Sequence, residues 1–387
     1  MKTSLKITFT FEYKINMAKK PRIIAFYLPQ YHSFPENDKW WGKGFTEWTN
    51  VGKAKPLFKG HDQPKVPTEL GYYNLKMPEV REAQAEMARE AGVEGFMYWH
   101  YWFGNGKTLM ADIFNDVVAS GHPDFPFCIG WANHSWYSKT WNPDGSSTNK
   151  LLMEQTYPGE EDARLYFNSL LPAFKDNRYI KVNGKPLVVI FAPDDLPEQY
   201  LKWFDEFAKE NGFPGIHFVG YLINESKDKS HYLRKGFSAV FYQRFSRTMP
   251  KAIEKHPLLN KIAKRGFKRI KGWLTHRPPY ALDYSREYPA FITEREKEQD
   301  VVPVMLPNFD HTPRSGWNGI FYYNSSPALF YKHAVEAIQA VENKPEEEQL
   351  IFLKSWNEWG EGNYMEPDLV NGRGYIDALR KAIEDTK

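Results

Sequence analysis

The chain has 387 residues, 51 Lys and Arg against 48 Asp and Glu, and a single cysteine, Cys128. That length fits one large α/β barrel or two ordinary domains. The lone cysteine excludes an internal disulfide and a cysteine zinc cluster, and no apolar run is long enough to span a membrane. The opening Met1-Lys2-Thr3-Ser4 stretch, broken by Glu12, Lys14, Lys19 and Lys20, lacks the apolar core of a secretory signal. A cytoplasmic setting is therefore expected, with residues 1–20 as an extension and Met17 as an alternative start.

Apolar, β-branched runs then alternate with helical segments. Arg22–Leu28 reads as the first strand, and Glu79–Ala91 as a helix with Pro78 at its entry and Gly92 at its exit. Gly95–His100 is the second strand, followed by a helix over Ala111–Ala119. Phe127–Trp131 and Leu187–Phe191 are the third and fourth strands, with the helix Glu160–Phe174 between them. Glu198–Glu210 is helical and leads to the strand His217–Leu222, then Phe237–Tyr242. Val301–Leu306 and Leu350–Leu353 complete eight strands, with helices over Pro327–Glu342 and Ile376–Glu384. The pattern predicts a (β/α)8 TIM barrel in one domain, residues 21–387, with an insertion at 244–299. A doubly wound sheet is the alternative. It calls for a glycine-rich loop after the first strand, where this chain has Pro29-Gln30-Tyr31-His32.

Within the insertion, residues 244–277 carry eleven Lys or Arg and one acid, Glu254, so the rest of the chain is acidic and nucleic acid is not an expected partner. Leu259, Ile262, Gly266, Ile270 and Trp273 recur at helical spacing among Lys264, Arg265, Lys268 and Arg269. Two readings stand: a helix lying on an anionic membrane or holding a lipid phosphate, and a solvated helix packed on the barrel.

Aromatic residues make up 16% of the chain and crowd the segments just past the expected strands. In a barrel the chemistry sits there. The sharpest motif is Ser355-Trp356-Asn357-Glu358-Trp359-Gly360-Glu361-Gly362 after the last strand. Two carboxylates three residues apart suit acid/base work on a glycosidic bond. On a helical turn they face one way, about 5–6 Å apart, near the spacing of retaining glycosidases. Glu358 and Glu361 are the candidate catalytic pair. Candidate sugar contacts are Tyr27, Tyr31, His32, Glu47, Trp48, Tyr98, His100, Tyr101, Trp102, Trp131, Asn133, His134, Asp310, Trp356, Asn357, Trp359 and Glu366. For Asp310, pairing with Arg314 competes with binding a sugar diol, and Glu366 reads equally well as a structural acid. The histidines lack metal-ligand spacing and no phosphate loop appears, so neither metal nor cofactor is expected.

Asn357-Glu358-Trp359-Gly360-Glu361-Gly362, with Met365-Glu366-Pro367, resembles the closing motif of glycoside hydrolase family 99, the endo-α-mannosidases and endo-α-mannanases. The chain from Pro21 to Tyr375 is similar to the WbsX branch of that superfamily, through Phe26-Tyr27-Leu28-Pro29-Gln30-Tyr31-His32, Gly44-Phe45-Thr46-Glu47-Trp48, Tyr98-Trp99-His100-Tyr101-Trp102-Phe103 and Trp131-Ala132-Asn133. Where that branch continues Glu-Asn, this chain has His134-Ser135. The resemblance implies a metal-independent, retaining site. In it Glu358 takes the proton of the sugar 2-hydroxyl to form a 1,2-anhydro sugar, and Glu361 is the acid for the leaving oxygen. An acid in that role needs a raised pKa, and Trp356 and Trp359 are expected to supply it by desolvation. Expected function is cleavage of α-linked, mannose-type or related glycans. The alternatives are a WbsX glycosyltransferase of lipopolysaccharide, O-antigen or capsule assembly, and a glycan-binding protein without turnover. In each case the partner is an oligo- or polysaccharide.

Overall fold

A computed structural model of the chain describes residues 21–141, 147–223, 225–243, 278 and 280–386. The basic stretch 244–277 and the extension 1–20 lie outside the described residues. Eight parallel strands follow in chain order: β1 (Arg22–Tyr27), β2 (Gly95–Trp102), β3 (Phe127–Trp131), β4 (Lys185–Ile190), β5 (His217–Leu222), β6 (Ala239–Tyr242), β7 (Val304–Met305) and β8 (Leu350–Leu353). They read as continuous apolar runs because both faces are covered, one by the lumen and one by helices. Each strand neighbours the next from β1 to β6, and β8 joins β1 to β7. Val240 closes the circle, its N–H donating to Asp300 O at 2.9 Å and its carbonyl accepting from Val302 N–H at 2.8 Å. The sheet is a (β/α)8 barrel.

The outer layer comprises α1 (Pro78–Ala91), α2 (Ala111–Ser120), α3 (Glu160–Lys175), α4 (Glu198–Glu210), α5 (Lys229–Lys235), α6 (Pro327–Gln339) and α7 (Gly374–Asp385). Proline at the first turn and a left-handed Gly92 bound α1, as the sequence suggests. The seventh strand is shorter than the expected Val301–Leu306. Pro303 has no N–H to donate, and Val302 is spent on β6.

The lumen is filled by a closed ring of aromatic side chains. Phe26 touches Trp99, Trp99 touches Phe191, Phe191 touches Tyr221, Tyr221 touches Phe241, Phe241 touches Phe352, and Phe352 returns to Phe26. Neighbouring centroids are 4.8–5.7 Å apart. Gly130 on β3 makes room: a Cβ there would lie 2.9 Å from the Trp99 ring. A smaller apolar cluster of Leu282, Tyr284, Phe291, Leu306, Phe309 and Tyr322 anchors the described end of the insertion beside β7.

Past β3 the chain forms an antiparallel hairpin, Trp136–Trp141 with Ser147–Met153, which the sequence pattern does not reveal. Past β1 lie two short helices, Pro35–Trp41 and Glu47–Gly52. Thr46 caps the second through its side-chain oxygen and the Trp48 N–H at 3.2 Å.

Candidate active site

β8 delivers the chain to a tight antiparallel pair, Asn357–Glu358 with Asn363–Tyr364, joined by a 3-10 turn at Trp359–Glu361 and a left-handed Gly362. Glu358, at the entry to the turn, and Glu361, at its end, both come within reach of one Arg314 nitrogen. Asn357 locks this turn to β1: its side chain accepts from Leu28 N–H at 2.8 Å and donates to Leu28 O at 3.1 Å. The Trp359 N–H donates to the Tyr31 hydroxyl at 2.8 Å. The Trp359 ring stacks on Tyr364 with centroids 3.7 Å apart, and its Nε1–H donates to Glu366 at 2.6 Å.

One cation binds the carboxylates together. Arg314 reaches in from the loop after β7. Its Nη1 contacts Glu361 Oε1 at 2.6 Å and Glu358 Oε1 at 3.5 Å, and its Nη2 contacts Glu47 Oε2 at 2.9 Å. Sharing one nitrogen holds these two oxygens of Glu358 and Glu361 closer than the roughly 6.5 Å minimum of the inverting arrangement. The side chains of Glu358 and Glu361 are 12% and 16% exposed, and that of Arg314 is 24% exposed, so the cluster is buried but open to the mouth.

The two acids differ electrostatically. Burial, then the charge of Glu361, push Glu358 up to about 7 against the pull of Arg314 and Lys354. Burial also raises Glu361, but Arg314, His311 and Lys354 outweigh it and hold that carboxyl below the ordinary range. Below about pH 7 the pair therefore shares one proton, carried on Glu358, over the range in which Glu361 stays ionised. This corrects the expectation of a raised acid at Glu361. Trp356 and Trp359 are both fully buried and pack on Phe96 and Tyr364.

Strand alternation sorts the other candidates. On β2, Trp99 and Tyr101 look inward while Tyr98, His100 and Trp102 face the helices. Burial, then the charges of Glu358, Glu47 and Glu361, raise the Tyr101 hydroxyl pKa against the pull of Arg314. His100 instead meets the Tyr166 hydroxyl at 3.0 Å, and burial lowers it to about 4. Trp102 stacks on Tyr166 and donates to Asp162 at 3.3 Å. Tyr27 donates to Gln84 at 2.7 Å and packs on Tyr98. Trp131 sits among Tyr157, Tyr166, Tyr200 and Phe204. Asn133 bonds Tyr157 and the Ala192 backbone.

Tyr27, Tyr98, His100, Trp102, Trp131, Asn133, Trp356, Asn357 and Trp359 are thus scaffold, with no face left for a sugar. Glu366 joins them. It is buried behind the turn, accepts from Tyr73, Gln84 and Trp359, and is raised to about 7 by burial. Asp310 is likewise taken up, by His61 at 2.9 Å, Gln63 at 2.6 Å and the Thr312 N–H at 2.9 Å, and does not pair with Arg314. His32 is buried against Asp112 at 3.2 Å. Trp48 packs on Tyr31 and Trp359 and donates to Tyr73 O at 2.7 Å.

Glu47, Tyr101, Glu358 and Glu361 remain in the mouth, with Tyr31 beneath them. His134 is half-buried against Phe191. The sequence reading did not place Trp99, Phe191, Tyr221, His311, Lys354 or Arg314 in the site. Trp99 and Phe191 are half-buried and Tyr221 feels Glu361 and Glu358, so these rings floor the cleft. Gly130 beside an aromatic strand was the available signal for Trp99.

The family model described as "Glycosyltransferase WbsX" matches residues 23–379. The chain belongs to the WbsX glycosyltransferase family. This WbsX chain is also similar to a relative from Xanthomonas campestris pv. campestris, the "Uncharacterized protein WxcX", 32% identical over 369 residues and 93% of this chain. The chain spans 49% of that relative's length. In fold, this WbsX chain is similar to a "Glycoside hydrolase-like protein" (TM-score 0.55, 14% identity, 99% of this chain and 97% of that one). It is also similar to the GH99 endo-alpha-mannosidase of Bacteroides thetaiotaomicron (TM-score 0.55, 15% identity, 94% and 97%). Among the described residues no helix is long and apolar enough to cross a membrane.

Proposed function

We propose that this WbsX chain is a carbohydrate-active enzyme that cleaves α-linked glycans, mannose-type or related, with retention of configuration, using Glu358 and Glu361. The observation that carries this reading is the close glutamate pair at the barrel mouth, one carboxyl raised to about 7 and the other held ionised. A retaining cleavage needs one proton donor and one proton acceptor at short range. In the route the resemblance implies, the ionised carboxylate removes the 2-hydroxyl proton and that oxygen attacks the anomeric carbon. The protonated carboxyl gives its hydrogen to the departing oxygen, and water then opens the 1,2-anhydro ring. The resemblance makes Glu361 the donor, whereas the ligand-free charge distribution puts the proton on Glu358.

A glycan panel read by NMR of the first-formed anomer tests the reading, with wild type, Glu358→Gln and Glu361→Gln side by side. Retention is expected, with each variant slowed by about 10²–10⁴-fold. Full activity in both variants would sink the site. Aryl glycosides with acidic leaving phenols assign the roles, because they rescue the variant that lacks the donor and not the one that lacks the acceptor.

The family description favours a second reading, glycosyl transfer in surface-polysaccharide assembly. Turnover that requires a nucleotide- or lipid-linked donor would establish it.

A further inference from the structure

Arg314 lies on a loop remote in sequence from both glutamates, yet its guanidinium touches three carboxylates. Nε and Nη2 are held by Glu47 at 3.2 and 2.9 Å, which turns Nη1 toward Glu361 and Glu358. Glu47 is itself fixed by Asn50 at 3.3 Å and by its place at the first turn of a capped helix. The turn is shaped for this crossing. Gly360 lies under the ion pair, where a Cβ would strike Glu47 and come within 3.2 Å of Arg314 Nε. A lysine could not make these contacts, since only a planar fork addresses two acceptors on one edge and a third on the other.

We infer that Arg314, braced by Glu47, is a positioning residue that holds the glutamate pair at a single proton by keeping Glu361 ionised. The inference rests on Glu358 and Glu361 being the reacting pair. Without the cation, burial is left to raise Glu361 as it raises Glu358, and the acceptor would be lost over a wider pH range. The other groups facing the cluster do not replace it. His311 approaches Glu361 at 3.7 Å but burial lowers its own pKa, and the charge of Lys354 ranks behind that of Arg314 on both acids. Tyr31, Tyr101 and Tyr221 face it as neutral hydroxyls.

The test reads charge directly. Protein labelled with ¹³C at the glutamate carboxyls is titrated by NMR in wild type, Arg314→Gln, Arg314→Lys and Glu47→Gln, with Glu358→Gln and Glu361→Gln assigning the signals. Arg314→Gln should move the Glu361 midpoint upward by at least about one pH unit, and Glu47→Gln should move it part of the way. Arg314→Lys keeps the charge and guards against a variant that fails to fold; an intermediate midpoint is expected. On active glycans the acidic limb of kcat/KM should move up with the midpoint, giving about a tenfold loss per unit at pH values on that limb. A Glu361 midpoint unchanged in a folded Arg314→Gln protein overturns the inference. If the midpoints shift as stated but no glycan is turned over, the charge-setting role stands and the proposed function fails.

Discussion

Glu358 and Glu361 are the same amino acid three positions apart, yet their surroundings give them different charge below about pH 7, Glu358 neutral and Glu361 anionic. Part of the difference is the contact to Arg314, 2.6 Å to Glu361 and 3.5 Å to Glu358, and His311 adds to the pull on Glu361. The pH dependence follows. The reactive form holds one proton, so kcat/KM should be bell-shaped. Its alkaline limb falls as Glu358 loses its proton near pH 7, and its acidic limb falls as Glu361 gains one below the ordinary carboxylate range. A profile still rising at pH 9 would contradict the assignment. Glu366 adds a stability effect of its own sign. Its folded pKa lies above the unfolded value, so the folded state binds more protons between about 4.5 and 7 and stability falls as pH rises through that window. Thermal unfolding of Glu366→Gln should show a shallower decline of Tm between pH 5 and 8 than wild type.

At the scale of the element, the turn after β8 depends on two glycines for different reasons. Gly362 has φ +52 and a Cβ there would lie 2.7 Å from Asp310 Cβ, so an alanine meets both strain and backbone. Gly360 leaves its space to the Arg314–Glu47 pair. Gly362→Ala is expected to lower stability by about 1–3 kcal/mol. Gly360→Ala should lower activity by more than tenfold with a smaller change in Tm, because it displaces side chains before backbone. Denaturant unfolding paired with kinetics separates the two, and equal effects on both measurements would refute the distinction. The acidic motif itself was legible in the sequence because its chemistry is local: two glutamates, a turn and two glycines. The face of each aromatic was not. On β2 both sides are apolar, so no alternation marks Trp99 and Tyr101 as inward and Tyr98, His100 and Trp102 as outward. Nor could Trp356 and Trp359 be recognised as core. Their partners Phe96, Tyr364 and Glu366 appear only once the turn has folded back.

For the whole molecule, the eight strands stand out in the sequence because each is a short apolar run between helices. The basic stretch 244–277 also stands out, and its two readings lie outside the described residues. What the sequence hides is long-range pairing. Arg314 follows the expected seventh strand and Glu47 the first, with 267 positions between them, and nothing in either segment announces the other. The Asn357 clamp on Leu28 is of the same kind and joins the first strand to the last segment of the mouth. Asn357→Ala leaves a buried N–H and C=O of Leu28 unpaired, at about 1–3 kcal/mol each. Tm should fall while the unfolding transition remains single, and an unchanged Tm would show that the clamp is dispensable.

That clamp and the bond from Trp359 to Tyr31, 328 positions apart, carry a consequence for the protein while it is being made. A ribosome will have released most of the barrel before the acidic turn has left the exit tunnel. Until β8 docks beside β1, Glu358 and Glu361 have neither Tyr31 beneath them nor the Arg314–Glu47 bridge across them. A chain stalled before β8 docks then lacks the assembled carboxylate cluster, however much of its barrel has formed, and activity of the kind proposed above has to wait for β8.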